Sequence, residues 1–316
     1  MAAISSIIVA IIMAILSIFG VGGGSSGGGS NNGGTTPVNT TPTGYDISAD
    51  VSYGPHEQQK LDIAFPQGVG TTLGLAVHIH GGAWFGGDKS QKTDEVMTYA
   101  KEKNMITANV NYRLLLLDSP QYTCQTILED IQAAMNKIAE VCRSKGYAVK
   151  KAMVWGESAG GHIALMYSYT YKDRCPFTIG LCYSICGPTN LTDAKYYTDN
   201  DIPPAQMLLL QSRLTGQDIN AGNLLTESTA NALLRVSPVN YVNAGTVPTI
   251  FNSCGRDKLV PKSNGDDLEK VLKMYGVDYY YAEFANSNHC GRSDLDYATY
   301  TALDNKLDQM INKYVK

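Results

Sequence analysis

The chain has 316 residues, of which 44% are hydrophobic and 17% charged, with a formal net charge of −4. That is ample material for a globular core and allows one large domain or two small ones. The slight acidity removes any electrostatic reason to expect a nucleic-acid partner.

Residues 2–21 read AAISSIIVAIIMAILSIFGV, polar on no face. As a helix, 18 of these residues would extend about 27 Å, close to the hydrocarbon thickness of a bilayer. Residues 1–21 therefore read as a hydrophobic anchor or signal segment, with the membrane as partner. No basic residue leads it, and the best small-x-small site is Gly20-Val-Gly22. An uncleaved anchor with the domain outside the cell is favoured, and secretion is the alternative. Residues 22–44 are Gly, Ser, Asn, Thr and Pro with one Val38, which reads as a flexible linker. The domain is expected over 45–316.

Residues 50–53 and 60–65 flank Gly54-Pro55 and predict an antiparallel hairpin at a sheet edge. His56 lies in that turn and reads as solvated. Residues 73–79 form an apolar run, a buried strand in which His78 is a core residue. His80-Gly81-Gly82-Ala83-Trp84 follows, and glycines just past a strand end let backbone amides face a ligand. His80 reads as shaping that loop. A short helix over 94–103 and a strand over 105–112 come next. Residues 123–145 carry apolar positions at helical spacing through Ile127, Ile131, Ala134, Met135 and Ile138, closed by Gly146. Asp130 reads as part of this helix's polar face.

Residues 150–164 read KKAMVWGESAGGHIA: an apolar run, a sharp turn, then a helix. Ser158 stands at the apex of a G-x-S-x-G pattern. The pattern alone is weak, because residues 23–27 and 24–28 match it too. Those lie in the Gly/Ser tract with no strand before and no helix after, so context singles out Ser158. Its hydroxyl is held in the open, and the Ala159 amide points to where an oxyanion would form. His162, one helical turn on, reads as a packing or cap residue.

A strand is expected over 177–186, so strands and helices alternate from residue 73 onward. That order implies a parallel sheet with helices on both faces and ligands at the strands' carboxyl ends. Residues 187–244 break the rhythm. This cap insertion holds Tyr196-Tyr197, Pro203-Pro204 and helices over about 205–214 and 227–235, and reads as a lid or substrate wall. Its apolar patch, 207–210, is expected to pack on the sheet, and the 20 tyrosines suit a wet aromatic site. The sheet resumes at 249–253, a helix covers 263–275, and the last strand is 277–284. Ser293-Asp-Leu-Asp296 predicts a capping box opening the final helix.

A serine hydroxyl needs a base, and the base an orienting acid. Asp257 and His289 each follow a strand, in the chain order Ser158, Asp257, His289 that suits such an elbow. Asp266 and Asp267 read as a solvated first turn. Seven scattered cysteines without C-x-x-C signal neither zinc nor a redox motif; no metal or cofactor is expected. Cys182 and Cys186 read as core residues, and Cys254 and Cys290 as a candidate disulfide beside the triad.

These residues resemble the α/β-hydrolase superfamily, in the branch of small esterases and lipases carrying HGG upstream of the elbow. The resemblance spans residue 45 to the carboxyl terminus and rests on HGGAW (80–84), NYR (111–113), GESAGG (156–161), GRDKLVP (255–261) and Asn288-His289. It implies an α/β-hydrolase fold with Ser158 as nucleophile, His289 as base and Asp257 as its orienter. It also implies oxyanion donors at the amides of Gly82, Ala83 and Ala159. HGG-x-W is closer to acetyl and feruloyl esterases and to kynurenine formamidases than to the HGGG group. The implied function is a serine carboxylesterase for short or compact acyl groups, including polysaccharide acetyl or feruloyl esters. An amide hydrolase of the formamidase type and a silent surface protein of the same fold are the alternatives.

Overall fold

The computed structural model describes residues 42–316. The expected membrane segment, 1–21, and most of the linker, 22–44, lie outside the described residues. Among the described residues no helix is long and apolar enough to cross a membrane.

The strands are β1 (Gly44–Ser52), β2 (Lys60–Gln67), β3 (Thr72–Ile79), β4 (Ile106–Val110), β5 (Ala148–Glu157), β6 (Ile179–Ile185), β7 (Thr249–Cys254) and β8 (Tyr279–Phe284). They form one sheet in the order β1-β2-β4-β3-β5-β6-β7-β8. β2 pairs antiparallel with both its neighbours, and every other pairing is parallel. The helices between and after them are α1 (Thr93–Lys103), α2 (Cys124–Ser144), α3 (Ala159–Thr170), α4 (Lys195–Thr198), α5 (Pro204–Thr215), α6 (Glu227–Arg235), α7 (Ser263–Met274) and α8 (Tyr297–Tyr314). This is the doubly covered α/β architecture that the alternation predicted.

Two cores lie on opposite faces of the sheet. Along β5, Ala152 and Val154 join one while Met153 and Trp155 join the other, as a period of two requires. The larger core takes Ile127, Ile131 and Ile138 of α2, Ile163 of α3 and Leu268 of α7. The smaller takes Val96 of α1 and Leu303, Leu307 and Met310 of α8. Each fully buried aliphatic side chain contributes about 1.5–3 kcal/mol, so the central strands are the most firmly held part. α2 starts where Thr123 and Thr126 cap each other reciprocally, and it ends before Gly146, whose φ is 77°.

Asp130 corrects one expectation. It is buried in α2 and holds Arg113 through Nε (2.9 Å to Oδ2) and Nη2 (2.6 Å to Oδ1). Its place in the helix, three residues after Ile127 and one before Ile131, puts it on the inward face.

Candidate active site

β5 ends at Glu157 and α3 begins at Ala159, leaving Ser158 between them with φ 53° and ψ −121°. A left-handed φ in a non-glycine residue is strained. Two contacts impose it here. The Ser158 amide donates to the Ile185 carbonyl on β6 (2.7 Å). The backbone of β3 also crosses so close that a Cβ on Gly160 would collide with the carbonyls of Ile79 and His80.

The structure brings Ser158, His289 and Asp257 into one hydrogen-bonded chain. Asp257 follows β7, and its Oδ1 accepts from the amides of Leu259 (2.8 Å) and Val260 (2.9 Å). That turns Oδ2 toward His289, whose Nδ1 lies 2.7 Å away. His289 Nε2 is 2.9 Å from Ser158 Oγ. Burial alone would push the His289 pKa down. The hydrogen bond and charge of Asp257 outweigh it, and the pKa stands above the ordinary 6.5.

The loop carrying His289 is braced from behind. Asp296 accepts from the amide of Asn286 (3.0 Å), its Nδ2 (3.0 Å) and Ser287 Oγ (2.6 Å), and Tyr300 donates to the Gly291 carbonyl (2.6 Å). The expected capping box is therefore absent. Ser293 caps only a short 3-10 turn, and Asp296 is spent on the loop instead.

On the other side of Ser158, Gly82 turns the HGGAW loop with φ 110°, where a Cβ would collide with the Gly86 carbonyl. Ala83 and Trp84 follow at φ 51° and 64°. Among the described residues the amides of Gly82, Ala83 and Ala159 donate to no protein acceptor. Ala83 and Ala159 face the cavity beside Ser158, whereas Gly82 is not on its wall.

The loop rests on groups the motifs did not assign. The Gly81 amide donates to Glu157 Oε1 (3.3 Å), and Glu157 Oε2 pairs with His78 Nε2 (2.8 Å). Burial raises the Glu157 pKa, but the charge and hydrogen bond of His78 overcome it and bring it to about 2. Tyr112 of the NYR segment donates to the His80 carbonyl (3.0 Å) and stacks on the His80 ring. A carboxylate ending an apolar strand was the available signal for Glu157.

Other candidates lie apart from Ser158. Asp266 pairs with Lys262 (2.7 Å), and Asp267 accepts from Asn190 Nδ2 (2.7 Å) rather than lying free in solvent. His56 accepts from the Gln58 amide in its turn.

A cavity of about 620 Å³, counting its open mouth, adjoins Ser158 and His289. Its far wall is Leu191, Tyr196, Met207, Leu210 and Leu214 from the insertion, closed by Leu259 and Val260. The apolar patch of α5 thus faces the cavity, contrary to the expectation that it packs on the sheet. Nor is the wall wet: the Tyr196 hydroxyl turns away to Asn264 Oδ1 (3.0 Å).

All seven cysteines are free thiols, so the expected Cys254–Cys290 bridge is not formed. Cys186, at the end of β6, stands between these loops instead. Its Sγ lies 3.3 Å from that of Cys254, and it also meets the thiol of Cys290. Among the described residues no group of three or more His, Cys, Asp or Glu is arranged to hold a metal ion.

The BD-FAE family matches residues 61–272, a span that includes the HGGAW loop, the elbow and Asp257. The chain belongs to the BD-FAE family. This BD-FAE chain is 24% identical over 243 residues to the carboxylesterase NlhH of Mycobacterium tuberculosis, covering 74% of this chain and 69% of that protein. Among solved structures it is similar to an inhibited esterase B from Lactobacillus rhamnosis, with a TM-score of 0.66 and 17% identity over 87% of this chain and 90% of the other. A truncated carbohydrate esterase from gut microbiota superposes with a TM-score of 0.67 and 15% identity, covering 87% of this chain and 99% of that one. At such identities these structures establish the α/β-hydrolase fold.

Proposed function

We propose that this BD-FAE chain is a serine carboxylesterase for short or compact acyl groups, acting on small esters or on ester decorations of polysaccharides. The observation that carries the reading is the Ser158–His289–Asp257 chain opening on an apolar cavity. The similarity to a protein named carboxylesterase and to structures named esterase and carbohydrate esterase supports it. An extracellular, membrane-tethered location is part of the proposal and rests on residues 2–21 alone.

In this reading His289 Nε2 takes the Ser158 proton as Oγ attacks the ester carbonyl. Asp257 holds Nδ1–H and stabilises the imidazolium that forms. The amides of Ala83 and Ala159 meet the developing oxyanion, and Gly82 supplies the turn that presents that of Ala83. His289 returns the proton to the leaving alcohol, and water then repeats the sequence on the acyl-serine. The apolar wall takes the acyl or alkyl group and excludes water.

The test is kcat/KM on 4-nitrophenyl esters from acetate to dodecanoate, beside acetylated and feruloylated xylan and N-formylkynurenine. The expected maximum falls on short or compact acyl esters. A maximum on the long chains sinks the short-acyl claim, and a dominant rate on the formamide transfers the function to amide hydrolysis.

A further inference from the structure

Ala83 and Trp84 hold left-handed backbone at φ 51° and 64°, a conformation that side-chain-bearing residues rarely adopt. Two such residues in a row, on the loop that must present an amide to the substrate, need an external hold. On the backbone, the Leu115 amide donates to the Trp84 carbonyl (2.9 Å) and the Phe85 and Gly86 amides donate to that of Gly82. On the Trp84 side chain the hold is one buried imidazole. Trp84 Nε1–H donates to His162 Nδ1 (3.2 Å), with the rings edge-on at 88°. Nε2–H of the same ring donates to the Val236 carbonyl (2.8 Å), where α6 has just ended. The two bonds demand opposite roles of the two nitrogens and so fix the neutral Nε2–H tautomer. Complete burial favours that form, pushing the His162 pKa down to about 4. The ring also belongs to the elbow, since the His162 amide donates to the Ser158 carbonyl (3.0 Å). Three separate pieces of chain meet at it: the HGGAW loop, the nucleophile's helix and the end of the insertion.

We infer that His162 and Trp84 are positioning residues for ester hydrolysis, the indole–imidazole bond holding the Ala83 amide where the oxyanion forms. This rests on the esterase reading above. It adds to the reading of His162 as a packing or cap residue, which its full burial and its bond to the Val236 carbonyl bear out. A purely structural role would lower the melting temperature and leave turnover at room temperature unchanged. A positioning role weakens binding of the transition state and leaves that of the substrate alone.

The experiment uses the whole chain and four variants. Trp84→Phe removes the indole N–H and keeps an aromatic edge on the ring. His162→Leu removes the acceptor, and the third variant combines the two. His162→Asn restores an acceptor near the Nδ1 position. Each is assayed for kcat and KM on 4-nitrophenyl acetate and for Ki of an alkyl trifluoromethyl ketone, whose serine adduct carries an oxyanion. Trp84→Phe and His162→Leu are expected to lower kcat about 10- to 100-fold with KM within about threefold, and Ki should rise in parallel. The double variant should lose no more than the worse single one, because both break the same bond. His162→Asn should retain more turnover than His162→Leu.

Turnover within about threefold of wild type in both single variants overturns the inference, as does a loss of kcat without a rise in Ki. Should His162→Leu fail to fold, Trp84→Phe decides the matter alone. A wild-type chain that hydrolyses no ester overturns the esterase reading and this inference together. An active wild type with unaffected variants overturns this inference only.

Discussion

The carboxyl edge of the sheet and the insertion that covers it hold their residues by opposite means. On the edge the control is polar and strained. Seven non-glycine residues have positive φ among the described residues; one is Ser158 of the triad, and four more, Ala83, Trp84, Cys186 and Cys290, lie on the segments around it. Each group there is pinned by hydrogen bonds: Asp257 by two amides, the His289 loop by Asp296, and Gly81 by Glu157. The insertion contributes shape instead. Its polar atoms turn away from the cavity, Tyr196 to Asn264 and Gln211 Nε2 to the Leu191 carbonyl (3.1 Å), leaving an apolar wall. Changes on the edge should therefore act on kcat, and changes in the wall on KM and acyl preference.

The edge is tested hardest by Ser158→Ala. Turnover should fall by about 10⁴-fold or more while the melting temperature holds, because only the attacking oxygen is lost. Residual activity above a few per cent would move the nucleophile elsewhere. Asp257→Asn and His289→Ala should cost about 10³- to 10⁴-fold each. Asp267→Asn should stay within about threefold, since its carboxylate faces Asn190 and not the histidine. A larger loss from Asp267→Asn than from Asp257→Asn would reverse the assignment.

The pH profile sharpens the same contrast. In the proposed mechanism His289 must be neutral to accept a proton, and Asp257 holds its pKa above 6.5. The acid limb of kcat/KM should therefore have its midpoint above 6.5, with activity lost as pH falls through it. The residual activity of Asp257→Asn should show that limb displaced downward. An acid limb at or below 6.5 in the wild type would mean that Asp257 does not outweigh burial at the imidazole.

The smallest effect is expected in the wall. Leu210→Ala deepens the cavity, so the hexanoate-to-acetate ratio of kcat/KM should rise about tenfold while kcat on acetate stays within about threefold. An unchanged ratio would mean that the acyl group does not reach α5.

Much of the edge was legible in the sequence, because local motifs encode it. A strand, turn and helix around Ser158, and acidic and basic residues just past later strands, name the three side chains that the structure brings together. What was not legible depends on partners distant in the chain. Asp130 reads as polar until Arg113, 17 residues away, is found beside it. His162 reads as packing alone until Trp84, 78 residues away, donates to it. The patch at 207–210 reads as sheet packing because periodicity tells which face of a helix is apolar, not what that face meets. The Ser293 box failed because Asn286 and Ser287 claim the Asp296 carboxylate first.

The thiols behind the histidine bear on how inhibition of this enzyme by thiol reagents is read. Cys290 adjoins His289 in sequence and is partly buried, and its contact with Cys186 under the same loop, together with burial, raises its thiol pKa and slows labelling without preventing it. A maleimide or organomercurial attached there puts a bulky adduct one residue from the base. Inactivation by such reagents is then steric sabotage of a neighbour, and it carries no diagnostic weight in favour of a cysteine nucleophile.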